Sequence, residues 1–84
     1  MKTVTVYTTD MCPFCVGAKK LLERRGIPFE EINLARDSDA RATLTQITGM
    51  FTFPQIVIDG SSIGGFNELR AADRAGQLDK LLAA

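Results

Sequence analysis

The chain contains two cysteines, and they stand two residues apart as Cys12-Pro13-Phe14-Cys15. Two thiols at that spacing can close on one another or open to attack an external disulfide, which is thiol–disulfide exchange. The reaction needs one ionised sulfur, because the thiolate is the nucleophile. It also needs a second sulfur within reach, to displace whatever the first has captured. An alternating run, Val4-Thr5-Val6-Tyr7-Thr8, precedes the pair, and a helix-like run from Pro13 follows it. Cys12 is therefore placed at a helix N-terminus, where unpaired backbone N–H groups and the helix dipole favour negative charge. A cysteine so placed drops from a pKa near 8.5 to roughly 3.5–7.5. Each unit is worth about 1.4 kcal/mol of preference for the thiolate. Cys15 lies in the first turn, is expected to be the more buried thiol, and can reach back to Cys12.

Other chemistries of the pair fit less well. A tetrahedral zinc site takes four ligands, and two cysteines with no histidine do not supply them from one chain. Haem attachment asks for histidine after the second cysteine, where Val16 stands. A structural staple is weak, since so short a closed loop gains roughly 2 kcal/mol against about 3 for a 15-residue loop. The absence of histidine also excludes Ser-His-Asp and Cys-His catalysis.

At 84 residues the chain reads as a single domain, 1–84, with a modest core. Ten basic and ten acidic residues cancel, so no overall field draws it to nucleic acid or an anionic membrane. No apolar run approaches the ~18 residues of a membrane span. The opening residues alternate, as a strand does and a secretion signal does not. The expected location is the cytoplasm, where thiols are kept reduced and a lone pair is more often catalytic or redox-sensing than structural.

The first strand leads through Thr9-Asp10-Met11 into a helix from Pro13 to about Arg25. Its apolar stripe is Val16, Ala18, Leu21 and Leu22, with Lys19, Lys20, Glu23 and Arg24 toward water. Proline suits the first turn, and Gly26 with Pro28 ends the helix. Phe29 to Leu34 reads as a second strand, parallel to the first through a right-handed crossover. Asp37 or Ser38 caps a second helix in which Ala40, Leu44 and Ile47 recur, and Gly49 closes it. Gln55-Ile56-Val57-Ile58, the Asp59-Gly60 turn and Ser61-Ser62-Ile63 form an antiparallel hairpin. A last helix starts near Phe66 or Asn67, with Leu69, Ala72, Leu78, Leu81 and Leu82 inward and Gly76 as a local weakness. The order is β-α-β-α-β-β-α, an α/β fold with a four-stranded mixed sheet flanked by helices.

Two further features point at the thiols. Thr52-Phe53-Pro54 stands just before a buried strand, and a proline there cannot act as a central ladder residue. Gly64-Gly65 precedes a helix N-terminus, a natural carboxylate seat, although a plain hairpin exit explains it as well. The basic cluster Lys19-Lys20-Arg24-Arg25 reads as the solvated face of the first helix, with steering of an anionic substrate as the alternative.

Taken together, these residues resemble a glutaredoxin of the dithiol class. The resemblance is carried by Val6-Tyr7-Thr8, Cys12-Pro13-Phe14-Cys15, Ala18-Lys19, Leu22, Thr48-Gly49, Thr52-Phe53-Pro54-Gln55-Ile56, Ile58-Asp59-Gly60 and Ile63-Gly64-Gly65 with Asn67-Glu68-Leu69. It covers essentially the whole chain. It implies a thioredoxin fold, glutathione as co-substrate, no metal and no covalently bound cofactor, and reduction of protein disulfides and glutathione mixed disulfides. By position it implies Cys12 as nucleophile and Cys15 as resolving thiol, with Pro13 tuning the site. Phe53 would pair with the glutathione backbone beside a cis Pro54, forming an open strand edge for an extended peptide. Thr52 and Phe14 would line the same groove. Gly65, Asn67 and Glu68 would hold the γ-glutamyl end, and Arg41 the glycyl carboxylate.

Three positions depart from the family's habit. Phe14 replaces tyrosine and keeps the apolar wall without the hydroxyl. Thr9 stands where many members carry lysine, and Asn67 replaces a common aspartate. Each lost charge costs about 0–1 kcal/mol at an exposed groove, so weaker glutathione binding is expected, with Arg41 carrying more of it. Met50 and Phe51 give the rim an apolar character, either a protein-docking surface or a feature without function. Two alternatives stand beside this function. One is a redoxin serving ribonucleotide reductase and recharged by thioredoxin reductase. The other is a dimer holding a [2Fe–2S] cluster with two glutathiones, which Pro13 disfavours. The default oligomeric state is a monomer.

Overall fold

In β1 (Val4–Thr8) burial alternates as the side chains do: Val4, Val6 and Thr8 are buried, Thr5 and Tyr7 half-buried. The computed structural model, which describes residues 1–83, builds a sheet of four strands on it in the order β2-β1-β3-β4. β2 (Glu30–Asn33) lies parallel to β1, with Glu31 opposite Val6 and Asn33 opposite Thr8. β3 (Gln55–Ile58) runs antiparallel to β1, and β4 (Ser61–Gly64) antiparallel to β3. The parallel pair needs a crossover, which α1 (Pro13–Arg24) supplies.

Register decides what meets α1. Ile56 lies opposite Val6 and Ile58 opposite Val4, so the four share one face. Ala18, Leu21 and Leu22 of α1, with Leu69 of α3 (Phe66–Arg74), close over them as the main core. Gln55 points the other way, toward α2 (Ser38–Thr48), where it accepts a hydrogen bond from the Thr48 hydroxyl at 2.8 Å. The sheet is thus mixed and flanked by helices, in the expected order of elements.

Three details depart from the sequence expectation. Val16, on the expected inward stripe of α1, is 45% exposed. Ile47, on the expected inward face of α2, is 74% exposed. That face turns instead through Leu44 to Thr48, because the threonine hydroxyl is needed by the buried Gln55. The last helix is two: α3 ends at Arg74, and α4 (Leu78–Leu82) starts afresh. Gly76, at φ +68°, takes the left-handed turn between them. The bend delivers Leu78 and Leu82 to the core and lets the Leu82 carbonyl accept from the Lys2 amide at 2.9 Å.

Leu22 is 1% exposed at the centre of this core. Leu22→Ala is expected to cost about 2–5 kcal/mol of stability by urea denaturation, and a loss under about 1 kcal/mol would mean that α1 does not depend on this contact.

Candidate active site

β1 stops at Thr8, and the chain crosses the sheet edge through Thr9, Asp10 and Met11. Met11 has a left-handed backbone (φ +52°), uncommon for a residue with a side chain, and is 99% exposed. Cys12 follows with an extended backbone as the N-cap of α1, and Pro13 opens the helix. At an N-cap a side-chain acceptor normally takes one of the orphan amides. Here the acceptor is sulfur: the Cys15 N–H donates to Cys12 Sγ at 3.1 Å. Cys15 is 2% exposed and Cys12 half-buried, and the two form a disulfide with Cα atoms 5.2 Å apart. The more accessible sulfur is therefore the one that receives the helix amide.

Cys12 lines one groove and approaches the wall of another. Its sulfur lies 3.7 Å from the Phe53 carbonyl oxygen. With the disulfide closed there is no S–H to donate, so this is a close approach and not a hydrogen bond. Phe53 and Pro54, joined by a cis peptide, form one wall of a groove of about 310 Å³ that also holds Phe14, Thr52, Phe66, Asn67 and Glu68. Phe66 leans over Gly17, where an added Cβ would sit 3.2 Å from the ring, and stacks with Phe14 at 5.9 Å between centroids. Arg70 caps the outer face of Phe66 at 5.4 Å. The floor of the loop is held by Gln55, 1% exposed, whose Nε2 donates to the carbonyls of Met50 and Thr52 at 3.2 and 3.1 Å. A buried amide with its partners satisfied fixes the loop that carries Phe53.

The far end of this groove is tight. Gly64 has φ +115°, and a Cβ there would lie 2.6 Å from Glu68 Cγ, so only glycine fits. Glu68 folds back and accepts the Gly65 N–H at 2.7 Å, which caps α3 from within. Its carboxylate and the Gly65 amide are thus engaged with each other, while Asn67 remains exposed in the groove. Arg41 is elsewhere: its Nη1 donates to the carbonyls of Leu34 and Ala35, and it does not line the groove. Phe51, in the loop that carries Phe53, is 82% exposed.

The second groove, about 560 Å³, contains both cysteines and mixes the apolar Met11, Pro13 and Val16 with the polar or charged Thr8, Asp10, Lys19, Glu31 and Asn33. The buried Thr8 hydroxyl donates to Glu31 Oε2 at 2.8 Å, and Lys19 Nζ lies 3.1 Å from both carboxylate oxygens. The Thr8 hydrogen bond, reinforced by Lys19, holds the Glu31 carboxyl below its ordinary range against a partial desolvation. Of the basic cluster, Lys19 is paired here and Arg25 is paired with Asp73 at 2.8 Å, leaving Lys20 and Arg24 exposed.

Sequence reasoning located the cysteines and the Thr52-Phe53-Pro54 wall. It missed Phe66 as an aromatic wall, for which small Gly17 one turn beyond Phe14 was the available signal. It placed Lys19 in water, and nothing local in the sequence announces a partner on β2.

A thioredoxin fold with a C-x-x-C pair at the N-terminus of α1 defines a thiol–disulfide oxidoreductase. The family model described as Glutaredoxin matches residues 4–63. The chain is 45% identical to a glutaredoxin of Pseudomonas aeruginosa over 84 residues, all of both chains. It is 40% identical to glutaredoxin 3 of Escherichia coli over 98% of this chain and 99% of that one. Among solved structures, glutaredoxin from Brucella melitensis superposes with a TM-score of 0.86 at 41% identity, covering 98% of this chain and 89% of that one. A buckwheat glutaredoxin–glutathione complex superposes with a TM-score of 0.87 at 32% identity, covering 96% and 76%. The chain belongs to the glutaredoxin family. No helix among its described residues is long and apolar enough to cross a membrane.

The depressed Glu31 carboxyl makes a pH prediction. A folded-state value below the unfolded one stabilises the fold above the unfolded value, near 4.5, and the gain disappears as pH falls through the lower folded value. Glu31→Gln is therefore expected to flatten the acid limb of stability against pH, measured as urea midpoints from neutral to acid pH. An unchanged acid limb would contradict it.

Proposed function

We propose that this chain uses glutathione to reduce protein disulfides and glutathione mixed disulfides, with Cys12 as nucleophile and Cys15 as resolving thiol. The carrying observation is the sulfur of Cys12, accessible, at the N-cap of α1 and bonded by the Cys15 amide at 3.1 Å. That amide and the helix dipole stabilise the thiolate once the disulfide is open. The likeness to a glutaredoxin whose structure holds glutathione supports glutathione as the co-substrate. The groove beside Phe53 has room for an extended tripeptide, with the Phe53 backbone as its pairing edge, Thr52, Pro54 and Phe14 along its walls, and Asn67 at its end. Glu68 and Gly65 shape that end through their mutual hydrogen bond. Arg41, held at Nη1 by the carbonyls of Leu34 and Ala35, lies outside the lining of this groove.

On a protein disulfide, the Cys12 thiolate attacks one sulfur, a mixed disulfide forms, and the substrate's other sulfur leaves as a thiolate. Cys15 then attacks Cys12, which releases the reduced substrate and closes Cys12–Cys15. Two glutathione molecules reopen the pair in turn. On a glutathionylated protein, Cys12 takes the glutathionyl sulfur directly, and a second glutathione frees it without Cys15. The cycle suits a reducing compartment, and we assign the protein to the cytoplasm as a monomer. A reduction potential of roughly −200 to −230 mV goes with the class.

Cys12→Ser is expected to abolish both activities. Cys15→Ser is expected to retain glutathione-dependent cleavage of a small mixed disulfide and to lose most reduction of a protein disulfide. Both are read by coupling to NADPH through glutathione reductase. Equal loss in the two variants would reject the assignment of roles. Turnover through thioredoxin reductase but not glutathione reductase would reject glutathione as donor.

A further inference from the structure

The groove that contains both cysteines is also lined by one cation and its counter-charge, Lys19 and Glu31. Lys19 lies one helical turn beyond Cys15 on α1, and a helical side chain leans back over the preceding turn, which carries the ammonium toward Cys15. Glu31 reaches that ammonium from β2 with both oxygens at 3.1 Å, and its position is fixed from below by Thr8, 1% exposed. The other titratable groups lining this groove are Asp10, tied to Asn33 at 3.1 Å, and Cys12. On the far side of α1, α3 presents Phe66 to Gly17, and its Asp73 is taken up by Arg25. Cys15 therefore shares its groove with one opposed pair of charges, Lys19 and Glu31.

We infer that Lys19 and Glu31 are positioning residues for the resolving step, the ammonium favouring the Cys15 thiolate and the carboxylate restraining it. The inference rests on the proposed roles, with Cys12 carrying the mixed disulfide and Cys15 closing it. In that step Cys15 gives its proton to water and its sulfur bonds Cys12 Sγ. The bond from Cys12 to the captured thiol breaks, and the electron pair departs on that thiol, which takes a proton from water. No external oxidant or reductant enters. Only the ionised fraction of Cys15 reacts, so the balance of the two charges sets the pH at which closure becomes fast. A half-exposed pair is worth a fraction of a kcal/mol, enough to tune closure without switching it off.

The test loads Cys12 with 2-mercaptoethanol as a mixed disulfide at acid pH, an uncharged cap that does not itself pair with Lys19. After a pH jump, closure is followed by acid quench and mass measurement across pH. Glu31→Gln keeps the shape and the Thr8 contact and is expected to lower the midpoint of the closure profile by about 0.2–0.7 of a pH unit. Lys19→Met is expected to raise it by a similar amount, and the double variant to return it toward the parent. Loss of a merely structural contact would move both single variants the same way or leave the midpoint in place, and either result overturns the inference. The measurement uses no glutathione, so it stands or falls separately from the identity of the donor.

Discussion

A backbone amide pointed at a sulfur is the contact that the rest of this molecule exists to hold. The first amides of any helix lack partners within it. Placing Cys12 at the N-cap gives one of them to Sγ, at 3.1 Å from the Cys15 nitrogen. The contact holds because α1 is anchored on its inner side: Ala18, Leu21 and Leu22 are fixed against Val4, Val6, Ile56 and Ile58. Were α1 free to slide on the sheet, the sulfur would lose its place against the Phe53 carbonyl.

Around that sulfur the two grooves differ in their charged side chains. One is walled by Phe14, Phe66 and the Phe53-Pro54 loop, and a buried glutamine fixes that loop from beneath. It offers apolar walls and a backbone edge with which an extended peptide can pair. The other is walled by Thr8, Asp10, Lys19, Glu31 and Asn33, already bonded among themselves. In the proposed cycle the first groove receives substrate and the second governs the sulfur that lets it go. One pair of thiols then performs capture and release in different electrostatic surroundings.

Much of this was legible in the chain. The cysteine pair, its helix, the parallel crossover and the Asp59-Gly60 hairpin follow from local rules of capping, periodicity and turns. What escaped depends on contacts between distant segments. Ile47 is an apolar residue at helical spacing, yet Thr48 takes the inward place because Gln55 needs its hydroxyl. Gly76 marks a weak point in a helical pattern, but only the pull of Leu78 and Leu82 into the core turns weakness into a break. Lys19 sits in a run of basic residues and is claimed by Glu31, a partner that only the parallel register of β2 brings near. Arg41 and Glu68, expected as ligand contacts, also bond the backbone of their own fold, Arg41 at Leu34 and Ala35 and Glu68 at Gly65.

The most direct test is titration of Cys12 in the Cys15→Ser variant, which keeps the residue 15 amide and removes the competing thiol. Thiolate absorbance in the ultraviolet, checked by the rate of iodoacetamide alkylation against pH, should show a sulfur distinctly more acidic than the value near 8.5 of a free cysteine. A Cys12 that titrates at or above that value would mean that the helix amides do not stabilise its charge, and the account of this site as a poised nucleophile would be wrong.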